Sequence, residues 1–187
     1  MAPQVRVKEL EAMESIPDQA RQAGVMALFY PGQDTLARLL LIVRPTYPGV
    51  HSGQVAFPGG GREPEDEDLL QTALRETREE VGVPEGDVQC LRPLSPLYIP
   101  PSNYTVSPHV GLCTARPNFR PDPEEVAGLI EVPVQELLGP ENIVSRPMTT
   151  SYAHRIEVPA FTFQGHIVWG ATAMILSELR SLLRQVV

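Results

Sequence analysis

Three glutamates, Glu76, Glu79 and Glu80, lie within five positions of one another and directly follow Arg75, and a run of three glycines (Gly59–Gly61) stands a short distance upstream. On a helix turning about 100° per residue, the three carboxylates span an arc of about 100° and point to one side. Like charges packed this closely raise one another's proton affinity. Something positive must offset the repulsion, and a hard divalent cation does so. Magnesium and manganese prefer carboxylate oxygen and keep waters for the phosphates of a substrate. The chemistry open to such a group is cleavage of a phosphoanhydride, where a cation neutralises charge and acidifies water while a carboxylate accepts the proton. For E-x-x-E-E alone, a solvated acidic helix face is the commoner meaning. Which glutamate would act as base is open.

The element that must carry these acids is a helix from Asp68 to Val81. Leu69, Leu70, Ala73, Leu74, Thr77 and Val81 give it a mostly apolar stripe. Glu65, Asp66, Glu67 and Asp68 crowd its front, where the helix dipole favours negative charge. Gly82 and Pro84 supply the stop. Arg75 and Glu79 are spaced to pair along the surface. The FPGGG run, Phe57 to Gly61, permits a sharp entry into this helix. It lacks the Gly-Lys-Ser/Thr ending of a nucleotide-binding P-loop, and that class is rejected.

Around this helix the pattern predicts strands over Val25–Tyr30 and Arg38–Arg44, joined by a turn at Pro31-Gly32, then over Gln54–Phe57, Val88–Leu94 and Thr105–Thr114. Glu125–Pro133 has a strand-like centre, Val134–Leu138 a short helix, and Ile156–Phe163 with His166–Trp169 a hairpin about Gln164-Gly165. A last amphipathic helix covers Ala171–Leu183, with Met174, Ile175, Leu179, Leu182 and Leu183 as core or subunit contacts. Gln4–Gln22 is predicted as an amphipathic helix broken near Pro17, so residues 1–22 form a helical extension on a single domain spanning 1–187. In the proline-rich loop SPLYIPPSNY, Tyr98 and Tyr104 either stack on a substrate base or cap the core. The class is α/β (α+β).

The spacing of Gly61, Glu67, Arg75, Glu76, Glu79, Glu80, Gly82 and Val83 resembles the Nudix box, the signature of the Nudix hydrolases. Thr77 departs softly from the aliphatic residue usual there, and its methyl group still packs. The resemblance implies the Nudix fold, a mixed β-sheet sandwiched between α-helices. It also implies that Glu76, Glu79 and Glu80, with a backbone carbonyl near Gly61, bind Mg2+ or Mn2+, and that Arg75 orients a glutamate. Glu67 and Gly82 would be structural supports, and a further acidic ligand would come from Glu124, Glu125 or Glu131. Upstream, Leu40, Leu41, Arg44, His51, Gly53, Gln54, Val55, Phe57, Pro58, Gly59 and Gly60 resemble the motif of coenzyme A pyrophosphatases within that family. Asn103–Gly111 and Val168–Leu176 resemble further parts of that subfamily, so the likeness runs from about Val25 to Leu179.

That likeness implies cleavage of coenzyme A or acyl-CoA to adenosine 3′,5′-bisphosphate and 4′-phosphopantetheine or its acyl form. Arg44, His51, Gly59, Gly60 and Tyr104 would be substrate contacts. Ile42, Pro45 and Gly49 depart from the motif. Gly49 matters most, because it removes an arginine that would meet the 3′-phosphate, leaving His51, Arg44 or Arg62 to compensate. The alternatives are the same chemistry on ADP-ribose or NADH, or a nucleotide-sensing module without turnover.

Composition bounds these choices. The chain has 187 residues, 42% of them hydrophobic, with 20 prolines and a net charge of −8. This is enough for a packed core with loop-rich connections and excludes wholesale disorder. No basic face is present to bind nucleic acid, whereas cations in a site can invert its local sign for an anionic substrate. Cys90 and Cys113 lie in apolar strand-like segments and read as free thiols of a reducing cytoplasm. They share no metal-type spacing with His51, His109, His154 or His166. With no apolar signal core and no run of membrane-span length, the expected partner is a small nucleotide rather than a membrane or nucleic acid. A homodimer stays open.

Overall fold

A computed structural model describes residues 19–46, 53–148 and 156–185. Its elements are β1 (Arg21–Pro31), β2 (Ala37–Val43), β3 (Val55–Ala56), β4 (Gly59–Gly61), α1 (Leu69–Val81), β5 (Gln89–Pro93), β6 (Leu97–Ile99), β7 (Tyr104–Leu112), β8 (Gly128–Pro133), α2 (Val134–Leu138), β9 (Ile143–Met148), β10 (Ile156–Phe163), β11 (His166–Val168) and α3 (Gly170–Leu183). β1 lies at the centre of the larger sheet. It runs parallel to β7 along Arg21–Phe29 and antiparallel to its other partners.

One irregularity of this sheet builds the site. β1 and β2 pair only near their hairpin, Phe29–Pro31 against Ala37–Leu39, and then separate. The segment from Val55 to Gly61 fills the opening: β3 pairs with Ile42 and Val43 of β2, and β4 pairs with Ala23–Val25 of β1. Between them the Met26 N–H donates to the Pro58 carbonyl at 2.8 Å, so the wedge is bonded on both sides.

Alternation along β1 and β2 divides the core in two. Met26, Leu28, Tyr30, Leu40 and Ile42 pack with Ala73, Val81 and Val83 beneath α1. Ala27, Leu39 and Leu41 point the other way, to Phe161, Phe163, Val168, Ile175, Leu176 and Leu179 of the small sheet and α3. The mixed sheet therefore lies between helices, the arrangement expected of the Nudix fold.

Several elements differ from the expectation. β1 begins at Arg21 and neither Gln19 nor Ala20 before it is helical, so the predicted N-terminal helix does not reach Gln22; its residues 4–18 lie outside the described residues. Parallel pairing from Arg21 opposite Tyr104 extends the strand through a stretch that is polar by composition. β4 forms from glycines alone, and β6 forms inside the proline-rich loop by pairing with β7. β9 adds a third strand to the predicted hairpin. That hairpin turns where expected, with Gln164 and Gly165 both at positive φ (50° and 83°). Cys90 is exposed on β5, whereas Cys113 is buried. Among the described residues no helix is long and apolar enough to cross a membrane.

Candidate active site

The local sequence of α1 fixes where its acids point. The Asp68 side chain accepts from the Gln71 N–H at 2.8 Å and starts the helix; Gly82, at φ 73°, ends it by donating to the Arg78 carbonyl. Thr72, Ala73, Thr77 and Val81 are buried. Thr77 accommodates its hydroxyl there by donating to the Ala73 carbonyl at 2.6 Å. α1 lies hard against β1 because of Gly24: a Cβ at that position would sit 2.1 Å from the Leu69 carbonyl oxygen.

Glu80 is only 3% exposed. Its Oε2 accepts the Gly59 N–H at 2.8 Å. Burial pushes its pKa up to about 8, against the opposing pull of that N–H and of Arg44. Glu76 lies one turn back, so close to Gly60 that a Cβ there would be 2.3 Å from Glu76 Oε1. Burial raises its pKa as well, with Arg75 opposing.

The third acid comes from the loop before β8. Arg120 donates its backbone N–H to the Val81 carbonyl at 2.9 Å, and Asp122 donates to that of Glu80 at 3.0 Å. Loop amides thus satisfy the open carbonyls at the end of α1. The Asp122 carbonyl then accepts from Glu125 and Val126, and the turn delivers Glu125 to the helix. Glu76, Glu80 and Glu125 each place a carboxylate oxygen within 4.8 Å of the others. They line a cleft of about 260 Å³ with Glu124, Arg44, Pro45, Gly59 and Gly60. Oxygen donors only, one of them nearly buried and costly to ionise alone, form a donor set that fits a hard divalent cation.

Arg75 organises the other side of the helix. Its Nη1 donates to Glu76 Oε1 at 3.1 Å and to Glu79 Oε2 at 2.9 Å, and its Nη2 donates to the Gly61 carbonyl at 3.0 Å. Glu79 therefore faces Arg75 and Arg78, and Gly61 turns its carbonyl to Arg75; neither is in the cluster of three. Arg44 donates to the Gly59 carbonyl at 3.1 Å while lining the cleft. Tyr104 sits beneath the Arg21 guanidinium, 4.2 Å from its ring centroid, with its hydroxyl beside Gly61. Tyr98 is buried and donates to Asn103, in keeping with a core cap. His51 lies outside the described residues.

Glu79 and the Gly61 carbonyl, expected beside the cation, thus lie on Arg75 instead, and two further expectations meet a different geometry. Glu131 was one of three candidates for the extra acid, but it forms a two-point pair with Arg116 (2.5 and 2.8 Å), accepts from the Tyr30 hydroxyl, and does not line the cleft. The pairing holds its pKa below the ordinary range. Glu67, expected as a helix support, is exposed, and Arg62 reaches only its main-chain carbonyl. The supporting acid is its neighbour Asp66, which the sequence did not single out. Asp66 accepts from Arg75 Nε at 3.0 Å and Nη2 at 3.1 Å. Of the run Glu65–Asp68 only Asp66 is buried, and a run of four acids carries no mark of which one points inward.

A sheet opened to admit a glycine strand, clasping a helix whose acids rim a cleft, defines an architecture of the Nudix type. The NUDIX domain model matches residues 20–152. The chain is 41% identical over 142 residues to the Yersinia pestis (strain Pestoides F) protein "Uncharacterized Nudix hydrolase NudL", an alignment covering 75% of this chain and 70% of that one. Among solved structures it is similar to a Nudix hydrolase from M. smegmatis, RenU, with a TM-score of 0.60, 16% identity, and 90% and 88% of the two chains covered. It is also similar to the NUDIX domain of Shewanella oneidensis NrtR complexed with ADP ribose, with a TM-score of 0.56, 16% identity, and 95% and 97% covered. The chain belongs to the Nudix hydrolase family.

Proposed function

We propose that this Nudix hydrolase cleaves the diphosphate of coenzyme A or its acyl thioesters, releasing adenosine 3′,5′-bisphosphate and 4′-phosphopantetheine or the acylated form. The observation that carries this assignment is where the coenzyme A-type motif lies. Arg44, Gly59 and Gly60, which match that motif, line the same cleft as Glu76, Glu80 and Glu125. The substrate's diphosphate would enter between one guanidinium and the acid cluster.

Glu76, Glu80 and Glu125 would hold Mg2+ or Mn2+. When bound, the cation would neutralise the anhydride and acidify a water. Arg44 would bind a non-bridging phosphate oxygen and orient the diphosphate, its guanidinium already steadied on the Gly59 carbonyl. The Gly59 N–H fixes Glu80, while Arg75 holds Glu79 and Glu76 at set angles. A carboxylate of this group would accept the proton of the attacking water. As the water oxygen bonds to phosphorus, the bridging P–O bond breaks and the leaving phosphate takes its electron pair. Gly61 and Tyr104 would border the substrate path. Two free thiols among the described residues, Cys90 and Cys113, accord with a reducing cytoplasm.

Incubation of the enzyme with coenzyme A and Mg2+ or Mn2+, followed by mass spectrometry, tests the assignment. Coenzyme A should surpass dephospho-coenzyme A in kcat/KM by about 10-fold or more, since a site that pairs with a substrate group rejects the analogue lacking it. Equal rates on the two, or a preference for ADP-ribose or NADH, would transfer the enzyme to another nucleoside diphosphate derivative. Gly49, where the motif has an arginine, is the observation favouring that second reading.

A further inference from the structure

We propose that Asp66 is a positioning residue for hydrolysis: it fixes the Arg75 guanidinium and, through it, the Gly61 carbonyl and the carboxylates of Glu76 and Glu79. Asp66 is 4% exposed and accepts four hydrogen bonds, all from donors. Arg75 Nε and Nη2 form a fork on its two oxygens at 3.0 and 3.1 Å. The Glu63 N–H at 2.9 Å and the Thr72 hydroxyl at 2.9 Å complete the set. One donor comes from the loop leaving the glycine strand and the others from α1, so Asp66 joins the two.

Arg75 has five N–H donors in a rigid plane. Two are held by Asp66, and the other three go to Gly61, Glu76 and Glu79. Once the fork on Asp66 sets the plane, the directions of the remaining three follow. Without it, the guanidinium can swing towards its acidic neighbours and draw Glu76 from the cleft. Pairing with Arg75 also keeps Asp66 ionised far below the ordinary carboxylate range. The neighbouring Glu67, the acid at the box position, has no comparable role in the geometry.

The inference rests on the roles proposed above for Glu76 and Glu79, and the experiment separates the two ideas. Mn2+ affinity by electron paramagnetic resonance and steady-state kinetics on the preferred diphosphate substrate are measured for wild type, Asp66→Asn, Arg75→Gln and the double variant. In Asp66→Asn an amide NH2 replaces an acceptor that faces only donors, so the clamp opens without loss of volume. We expect kcat to fall about 10- to 100-fold, the penalty typical of misplaced catalytic groups, with KM within about 3-fold and Mn2+ bound several-fold more weakly. The double variant should be within about 3-fold of Arg75→Gln alone, because one path cannot be cut twice.

Multiplying losses in the double variant, or an unchanged kcat and Mn2+ affinity in Asp66→Asn, would overturn the inference. If Asp66→Asn does not fold, Thr72→Val decides: it removes one of the four bonds and should lower kcat about 2- to 5-fold at constant KM, and an unchanged kcat overturns the inference. Wild type that binds no Mn2+ would instead remove the metal-site assignment beneath both.

Discussion

Replacing Glu80 by glutamine should make the cation-free protein more stable while disabling it. The Gly59 N–H that bonds Glu80 Oε2 at 2.8 Å can be accepted equally by the glutamine carbonyl, and the amide NH2 then faces the oxygens of Glu76 and Glu125. Only the burden of ionisation is lost. An ordinary glutamate titrates at 4.5, and burial pushes Glu80 up to about 8. The sign follows from linkage. Below pH 4.5 both the folded and unfolded states carry the proton and the group is neutral in its effect. From there to about 8 the folded state holds a proton that the unfolded state has released, so stability falls as pH rises.

At pH 7, about 2.5 pH units above the unfolded value, the penalty is about 3–4 kcal/mol at most, taking about 1.4 kcal/mol per unit. For a chain of this length that corresponds to a rise in Tm of about 6–16 °C in Glu80→Gln. Thermal melts in chelator at pH 5, 6, 7 and 8 read the effect directly: the gap between variant and wild type should widen with pH and close near pH 4. Adding Mn2+ should raise the wild-type Tm and narrow the gap, since a ligand bound only by the folded state stabilises it by mass action. A variant that melts at or below wild type throughout, with a gap independent of pH, would refute the reasoning that burial loads this carboxylate.

The remaining expectations separate neighbouring acids and glycines. Glu79→Gln should reduce turnover about 100-fold, as loss of an electrostatic contributor does, with little change in Mn2+ affinity because its carboxylate lies on Arg75 and Arg78; Glu125→Gln should instead weaken Mn2+ binding about 10-fold, read by titration calorimetry. Glu131→Gln should leave Mn2+ affinity unchanged and lower stability by about 1–2 kcal/mol in urea unfolding, having weakened the pair with Arg116. Gly60→Ala places a Cβ 2.3 Å from Glu76 Oε1, a side-chain end that can move, so activity should fall at least about 10-fold with Tm nearly kept. Gly24→Ala meets the Leu69 carbonyl backbone at 2.1 Å and should lower stability by about 3 kcal/mol or more in the same unfolding assay.

How much of this was legible depends on whether a feature is local. α1 was readable nearly to the residue, because its cap, its apolar stripe and its glycine stop all lie within its own sequence. Val134–Leu138 was likewise read to its ends. β4 was not, since Gly59–Gly61 have no side chains to alternate and become a strand only by filling the space between β1 and β2. β6 and β9 contain or adjoin prolines, which mask the strand pattern, and each is held by pairing with the strand that follows it. In the site, helical spacing pointed Glu76, Glu79 and Glu80 to one side, and nothing in it separated Glu79, which lies on Arg75 and Arg78, from the two that meet Glu125. Glu125 could not be separated from Glu124 and Glu131, because what delivers it is backbone bonding of Arg120 and Asp122 to the end of α1, and backbone amides carry no residue signature.

The order of charges around α1 explains why similar acids end in different places. With Glu76 as origin, Arg75 lies at about −100°, Glu79 at about −60° and Glu80 at about +40°. Exposure follows that rotation: the Glu79 side chain is 46% exposed and that of Glu76 15%, whereas Glu80 is 3% exposed. Glu79 is therefore held by arginines at the rim, Glu80 is held by Gly59 in the interior, and Glu76 stands between them with one oxygen on Arg75 and its carboxylate in the cleft. Any cation entering the cleft competes with Arg75 for Glu76. That competition can be won only while the guanidinium has other acceptors to satisfy it, and Asp66, Gly61 and Glu79 provide them. The arginine between the loop and the helix would thus do more than neutralise acids: it would limit how far Glu76 is drawn from the cleft.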